Sequence, residues 1–137
     1  MEKKKRILVV DDEEIIRDIL SELLTNAGYE VSVSGDGLQS LETAYNSDCI
    51  ILDLKLSGKS DMEGGGFLAR LWKNEAFMAP VIVFSGFIYA ETANEALLQI
   101  ERLYGKGRKI AHIIPKSGGL KNLIKAVNEC IDRNPDK

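Results

Sequence analysis

The chain has 137 residues, of which 45% are hydrophobic and 28% are charged, a balance typical of one globular domain with a buried core. Its formal net charge of -3 argues against a general nucleic-acid-binding surface. No apolar run is long enough to cross a membrane and no leader pattern opens the chain, so we expect a cytoplasmic domain.

The first half of the chain alternates strand and helix patterns. Residues 7–10 predict a buried strand, and residues 15–27 have the apolar spacing of a helix that Gly28 can end. The alternation in residues 29–33 predicts a second strand with one solvated face. A helix is expected to open at Asp36 and Gly37 and to turn three side chains inward, Leu38, Leu41 and Tyr45. Residues 49–52 predict a third, fully buried strand.

The second half continues the alternation after an interruption. Residues 57–66 have no apolar period and predict a glycine-rich loop, and residues 67–72 resume a helical spacing. A strand at 81–84, a helix at 93–104 and a strand at 110–114 follow. Ser117 is expected to cap a last helix with apolar residues from 120 to 131. Cys49 and Cys130 fall inside apolar patterns, so we interpret them as reduced core residues.

The order of these elements predicts the fold class. Five β-α units, with buried strands between amphipathic helices, indicate an α/β domain with a parallel sheet covered by helices on both faces. Because crossovers in such sheets are right-handed, a doubly wound five-stranded sheet is the natural topology. We expect a single domain over residues 1–137, with a core at about 5–132 and a tail or the start of a linker at 133–137.

Chemically active side chains follow four of the five predicted strands. Asp11 and Asp12 follow the first strand, Asp53 the third, Ser85 the fourth and Lys116 the fifth. Because the carboxyl ends of parallel strands meet at one edge of a sheet, these side chains should converge. Three converging carboxylates repel one another unless a cation joins them, and oxygen ligands without His or Cys favour Mg²⁺. A carboxylate beside Mg²⁺ can attack a phosphoryl group, while an amine and a hydroxyl neutralise its oxygens.

Four short motifs together resemble the response-regulator receiver family. They are Val-Val-Asp-Asp-Glu at 9–13, Ile-Ile-Leu-Asp-Leu at 50–54, Val-Phe-Ser-Gly at 83–86 and Ile-Pro-Lys at 114–116. The resemblance implies a flavodoxin-like fold with Asp53 as phosphoacceptor. It also implies that Mg²⁺, or Mn²⁺ in its place, is bound directly by Asp12 and Asp53, through water by Asp11, and by the backbone carbonyl of Lys55. Ser85 and Lys116 would then contact the phosphoryl oxygens.

The same resemblance implies the partners. A histidine kinase or phosphotransfer protein would donate the phosphoryl group, and an unknown downstream protein would bind the surface formed by the fourth helix, fifth strand and fifth helix. The domain would not be an enzyme beyond its own phosphorylation and dephosphorylation. We expect it to bind neither nucleic acid nor a membrane directly.

The sequence departs from the family pattern at several positions around the site. Ser57 stands where the family usually has Pro, and the glycine-rich loop at 57–66 is longer than usual. Ser117 follows Lys116 where the family usually has Pro, and Ile113, beside His112, stands at the usual aromatic switch position. We interpret His112 as structural.

Three other interpretations stay open at this stage. The first is a pseudo-receiver, an interaction module of the same fold that is not phosphorylated. The second is a phosphatase of the haloacid-dehalogenase type, which would carry an Asp where this chain has Lys55. The third is a flavodoxin-like FMN carrier, whose phosphate loop would be rich in Ser, Thr and Gly, whereas residues 11–14 are all acidic. Binding of Mg²⁺ and modification of Asp53 separate the receiver from the pseudo-receiver.

Overall fold

A five-stranded parallel sheet organises the chain. The computed structural model describes residues 3–35, 40–53, 64–74, 77, 79–85, 98 and 110–133. The strands are β1 (Arg6–Val10), β2 (Glu30–Ser34), β3 (Cys49–Leu52), β4 (Val81–Ser85) and β5 (Ile110–Pro115). They lie in the order β2-β1-β3-β4-β5, and every neighbouring pair is parallel. The predicted doubly wound α/β fold is therefore confirmed.

Four helices cover the sheet in the described part of the chain. They are α1 (Glu14–Asn26), α2 (Leu41–Tyr45), α3 (Gly64–Lys73) and α4 (Leu120–Arg133), and a 3₁₀ turn at Lys116–Gly118 precedes α4. The helix α4 is the fifth of the predicted helices, since the predicted helix at 93–104 lies outside the described residues apart from Leu98. None of the described helices is long and apolar enough to cross a membrane.

Two apolar clusters lie on opposite faces of the sheet. Alternate residues of β1 point to opposite faces, so Leu8 and Val10 join side chains of α2 and α3, whereas Ile7 and Val9 join side chains of α1 and α4. All four residues of β3 are buried, as expected for a central parallel strand with helices on both sides. Burial on both faces fixes the strands, and so it fixes the positions of the residues that follow them.

The helix α1 ends as the sequence predicts, but much of its apolar surface stays exposed. Gly28 has a φ of 100°, and its N–H donates to the carbonyl of Thr25 at 3.0 Å. The buried side chains of α1 are Leu20 and Leu24. Three apolar side chains spaced four residues apart are exposed instead, Ile15, Ile19 and Leu23. The sheet and α4 therefore cover only one stripe of a wider apolar face.

Three local predictions are corrected. The loop predicted at 57–66 is wrong in its last three residues because α3 begins at Gly64, and glycines carry no side chain that could reveal a helical period. Ser117 does not cap the last helix, because it lies inside the 3₁₀ turn and α4 begins at Leu120. Tyr45 is 41% exposed, and Ala44 is the buried residue of the short helix α2. Residues 36–39, where this helix was expected to open, lie outside the described residues.

The strand β5 contains an irregularity that places His112. Val81 pairs with Ile110, whereas the next residue, Ile82, pairs with His112, so β5 has one extra residue at this point. The extra residue brings His112 to the α4 side of the sheet, where its Nε2 lies 3.8 Å from the Glu129 carboxylate. Ile113 packs against the apolar cluster on the opposite face. Both Cys49 and Cys130 are buried and neither forms a disulfide, which agrees with the interpretation of the cysteines as core residues.

Candidate functional site

The site lies where two central strands end side by side. Asp11 directly follows β1 and Asp53 directly follows β3. Each continues the hydrogen bonding of the sheet by one residue: the N–H of Asp11 donates to the Ser34 carbonyl and that of Asp53 to the Val10 carbonyl, both at 3.0 Å. In the strand order, β2 lies on one side of β1 and β3 on the other. Ligands of doubly wound sheets bind at such a switch point, beyond the carboxyl ends of the strands.

Three carboxylates converge there. One carboxylate oxygen from each of Asp11, Asp12 and Asp53 lies within 4.8 Å of the other two. Asp11 is 3% exposed and the side chain of Asp53 is 7% exposed, whereas Asp12 lies at the exposed rim. Charges this close repel strongly when they are withdrawn from water, so the cluster needs a positive partner.

The residue directly after β5 supplies that partner. The Nζ atom of Lys116 lies 2.9 Å from Oδ2 of Asp11, 3.3 Å from Oδ2 of Asp53 and 3.7 Å from Oε1 of Glu13. Burial alone would lower the pKa of Lys116, but its hydrogen bond to Asp11 and the negative charges around it outweigh burial and raise the pKa. Lys116 is therefore a charged group that holds the acidic cluster together.

The charge of Asp53 is only partly compensated. Burial, reinforced by the charge of Asp11, raises its pKa to about 6, and the nearby Lys116 only partly offsets this effect. Its Oδ2 accepts from Lys116, but its buried Oδ1 has no hydrogen-bond partner among the described residues. A buried acceptor without a partner is costly, and it marks a position for a further positive group or a donor.

These residues fit a magnesium ion. All of the available donors are carboxylate oxygens, which are the hard ligands that Mg²⁺ and Mn²⁺ prefer. Asp53, whose Oδ1 has no partner among the described residues, contributes one oxygen to the same cluster as Asp11 and Asp12. Mg²⁺ usually takes only one or two protein carboxylates and keeps other positions for water and phosphate oxygens. The cluster therefore has the composition of an open site rather than of a closed cage.

Of two further predicted site residues, the structure places the backbone of Ser85 and does not describe Lys55. Ser85 is the last residue of β4 and pairs with Pro115, so its backbone lies at the same edge of the sheet as the acids. Lys55, whose carbonyl was expected to bind the metal, lies outside the described residues, as do residues 57–63 of the predicted loop. The described peptide bonds are all trans, including the bond from Lys116 to Ser117.

Sequence reasoning missed two residues that contact the site. Glu13 approaches Lys116, and its backbone N–H donates to Oδ1 of Asp11 at 2.8 Å. Arg17 donates from Nη1 to the backbone carbonyl of Asp11 at 2.7 Å. The sequence carries no signal for the Arg17 contact, because Arg17 falls in a polar gap of the apolar spacing of α1, where a solvated residue is equally expected. The contact depends on how α1 packs beside β1.

A separate cavity of about 540 Å³ lies at the opposite edge of the sheet. Its lining includes Arg6 at the start of β1 and the three residues before it, Lys3, Lys4 and Lys5. The acids in its lining are already engaged, since Glu30 pairs with Arg6 at 2.9 Å and Asp48 accepts from the Arg6 N–H at 2.8 Å. This cavity has no part in the acidic site, which is an open cluster at the carboxyl edge.

Known proteins resemble the chain over most of its length. Residues 7–128 match the family described as the response regulator receiver domain. A putative response regulator NtrX-like of Rickettsia bellii is 38% identical over 93 residues, which cover 66% of this chain and 19% of that protein. The transcriptional regulatory protein PdtaR of Mycobacterium tuberculosis is 27% identical over 132 residues, which cover 94% of this chain and 58% of that protein. The chain thus spans only part of these relatives.

Solved structures support the same assignment of the fold. A response regulator receiver domain protein (CheY-like) from Methanospirillum hungatei JF-1 has a TM-score of 0.73 at 23% identity, covering 97% of this chain and 98% of that one. Chemotaxis protein CheY4 of Vibrio cholerae has a TM-score of 0.70 at 25% identity, covering 93% and 99%. The match to the family spans well over half of the sequence. The chain belongs to the response regulator receiver domain family.

Proposed function

We propose that this domain is a phosphorylation-dependent signalling switch whose phosphoacceptor is Asp53. The observation that carries the proposal is the state of the Asp53 carboxylate. It is almost buried, it lies within 4.8 Å of two other carboxylates, and one of its oxygens has no partner among the described residues while the other faces Lys116. A purely structural Asp would be expected to have both oxygens satisfied.

The proposed transfer assigns a role to each residue. An oxygen of Asp53 attacks the phosphorus atom, the bond from phosphorus to the donor nitrogen or oxygen breaks, and the donor leaves with that electron pair. Lys116 moves from pairing two carboxylates to pairing a phosphoryl oxygen, since its ammonium already lies 3.3 Å from Asp53. Ser85, at the end of β4, would donate its hydroxyl to another phosphoryl oxygen.

We assign the metal to the same carboxylates. Asp12 and Asp53 would hold Mg²⁺ directly, Asp11 would act through a bound water, and the carbonyl of Lys55 would complete the protein's share. When bound, Mg²⁺ neutralises the carboxylates and the transferring phosphoryl oxygens. With the metal in place, Lys116 would be free to meet the phosphoryl group, because the carboxylates would no longer depend on its ammonium alone.

We propose that the phosphoryl donor is a histidine kinase or a phosphotransfer protein that docks against α1, and that the domain works in the cytoplasm. The exposed apolar residues Ile15, Ile19 and Leu23 share one face of α1, which begins three residues after Asp11. Exposed apolar patches beside a reactive site are typical of protein docking surfaces. Exposed acids alternate with these residues, Glu14, Asp18 and Glu22. The expected partner surface is apolar at its centre and basic at its rim.

The proposed output is a change of the surface that includes β5 and α4. Both elements are tied to the site because Lys116 directly follows β5 and precedes α4. A movement of Lys116 toward a phosphoryl group would shift this connection and bias a two-state equilibrium of the surface. The downstream protein would recognise that surface.

The test is the intact mass of the protein after incubation with acetyl phosphate and Mg²⁺. We expect the gain of one phosphoryl group, lost with EDTA and absent in Asp53→Asn. Asp18→Asn, which removes an exposed acid of α1, is the matched control and should be modified like the wild type. No gain together with no Mg²⁺ binding would favour a pseudo-receiver that acts through protein contacts alone.

A further inference from the structure

The backbone carbonyl of Asp11 has an unusual partner. It lies one residue beyond the last paired position of β1, and the residue that carries it is almost fully buried. A buried carbonyl needs a hydrogen bond, and here the guanidinium of Arg17 supplies it from α1 at 2.7 Å. A charged donor makes this a strong hydrogen bond, which ties the end of β1 to α1.

The residue after β2 is adapted to this arrangement. A Cβ atom at Gly35 would lie 3.0 Å from Nη1 of Arg17 and 3.9 Å from the carbonyl oxygen of Asp11. Gly35 is not among the glycines with a positive φ, so its backbone conformation is open to other residues. A substitution at Gly35 would therefore act through the contact distance, by pressing on the guanidinium, rather than through backbone strain.

The carbonyl of Asp11 also controls the direction of Asp12. The peptide unit is planar, so the carbonyl group of Asp11 lies in one plane with the nitrogen and Cα of Asp12. A donor that fixes this oxygen fixes the plane from which the Asp12 side chain starts. Asp12 itself lies exposed at the rim, so burial does not hold it in place. We infer that Arg17, which Gly35 allows to approach, is a positioning residue that aims the Asp12 carboxylate into the cation site.

The inference rests on the proposed function. When Arg17 is removed, it predicts a change in Mg²⁺ affinity opposite in direction to the change that charge alone predicts. A guanidinium near a cation site repels the cation, so charge alone predicts that removing Arg17 tightens the binding of Mg²⁺. Loss of the hydrogen bond frees the peptide plane and predicts weaker binding instead. Mg²⁺ demands nearly ideal octahedral geometry, whereas Ca²⁺ tolerates irregular ligands. A freed Asp12 should therefore weaken Mg²⁺ binding more than Ca²⁺ binding.

The experiment is calorimetric titration of the whole chain with Mg²⁺ and with Ca²⁺. We expect Arg17→Met to raise the Kd for Mg²⁺ about tenfold, the low end of what loss of a supporting partner costs at metal sites, and to raise the Kd for Ca²⁺ less. Arg17→Lys keeps a charged donor and should recover part of the affinity for Mg²⁺. Gly35→Ala should also raise the Kd for Mg²⁺, by a smaller factor. It tests the inference if Arg17→Met fails to fold.

A matched control removes an arginine elsewhere. Arg70 is exposed in the last turn of α3, and Arg70→Met should leave both metal affinities unchanged. Unchanged or tighter Mg²⁺ binding in Arg17→Met and Gly35→Ala overturns the inference. Equal losses of affinity for Mg²⁺ and Ca²⁺ also overturn it, because they indicate that Arg17 has a structural role only. If the wild-type protein binds Mg²⁺ but the variants do not show the expected loss of Mg²⁺ affinity, the inference fails and the proposed function stands. If the wild type binds no Mg²⁺, the proposed function fails and the inference fails with it.

Discussion

Replacing the proposed phosphoacceptor should stabilise the metal-free protein at neutral pH. Burial and the charge of Asp11 raise the pKa of Asp53 from its ordinary value of 3.8 to about 6. The folded protein therefore binds this proton more tightly than the unfolded chain does. The stability gained from that proton is present below pH 4 and is lost as the pH rises to 6. Above pH 6 the ionised carboxylate opposes folding, and Asp53→Asn removes this penalty.

The magnitude follows from the size of the pKa difference. One pKa unit corresponds to about 1.4 kcal/mol, so a rise of roughly two units corresponds to about 3 kcal/mol at most. We expect the stability advantage of Asp53→Asn to be small near pH 4 and to grow by about 1.4 kcal/mol per pH unit up to pH 6. Above pH 6 the advantage should be constant.

The assay is urea unfolding in EDTA at several pH values from 4.5 to 8, followed by fluorescence. Trp72, the only tryptophan, is half-buried against the apolar cluster under α2 and α3, so it reports unfolding directly. Asp18→Asn is the control, because that acid is exposed and its replacement should give a curve parallel to the wild type. An advantage of Asp53→Asn that does not change between pH 4.5 and 7.5 would refute the electrostatic reasoning.

Magnesium should cancel much of the stability advantage of Asp53→Asn at neutral pH. A ligand at 100 times its Kd stabilises the folded state by about 2.7 kcal/mol, and the wild type has a carboxylate oxygen available for it. Asp53→Asn lacks one charged ligand and should gain less from the metal. An equal gain in both proteins would remove Asp53 from the metal site.

Three further predictions concern the supporting residues. Lys116→Met leaves the three carboxylates without their ammonium and should destabilise the metal-free protein by about 3 kcal/mol at pH 7.5. Mg²⁺ should restore part of this stability, and a loss below about 1 kcal/mol would contradict the role of Lys116 in holding the cluster together. Gly28→Ala places a side chain at a φ of 100° and should lower the free energy of unfolding by about 1 kcal/mol, with Mg²⁺ affinity unchanged. Ile15→Ser should slow phosphoryl transfer from a histidine kinase about tenfold while affecting acetyl phosphate less; equal effects would argue against docking on α1.

Much of the fold was predictable because burial leaves a periodic trace in the sequence. The run at residues 49–52 is apolar throughout, and the structure buries all four residues between two layers of helices. The end of α1 at Gly28 was readable for a similar local reason, since a left-handed residue is needed there and glycine accepts it most easily. The glycines at 64–66 left no such trace, so the start of α3 was missed.

The site was predictable only as a set of strand ends. Parallel strands bring their carboxyl ends to one edge, so the sequence placed Asp11, Asp53 and Lys116 at that edge before any distance was known. Which atoms meet was decided by the tertiary structure. Lys116 reaches across β4 to both acids, and Arg17 reaches back from α1, because the helix and the strands pack at particular separations.

The sequence by itself determined the order of the elements, the parallel sheet and the edge at which the acids gather, because these depend on periodicity and on chain direction. The tertiary structure decided which apolar residues of α1 are covered, which oxygen of Asp53 has no partner among the described residues and where His112 lies. Periodicity shows that a helix has an apolar face, but not how wide a stripe its neighbours cover, and Ile15 stays exposed for that reason. The pKa of Asp53 likewise depends on burial and on charges from other strands, which no local pattern contains.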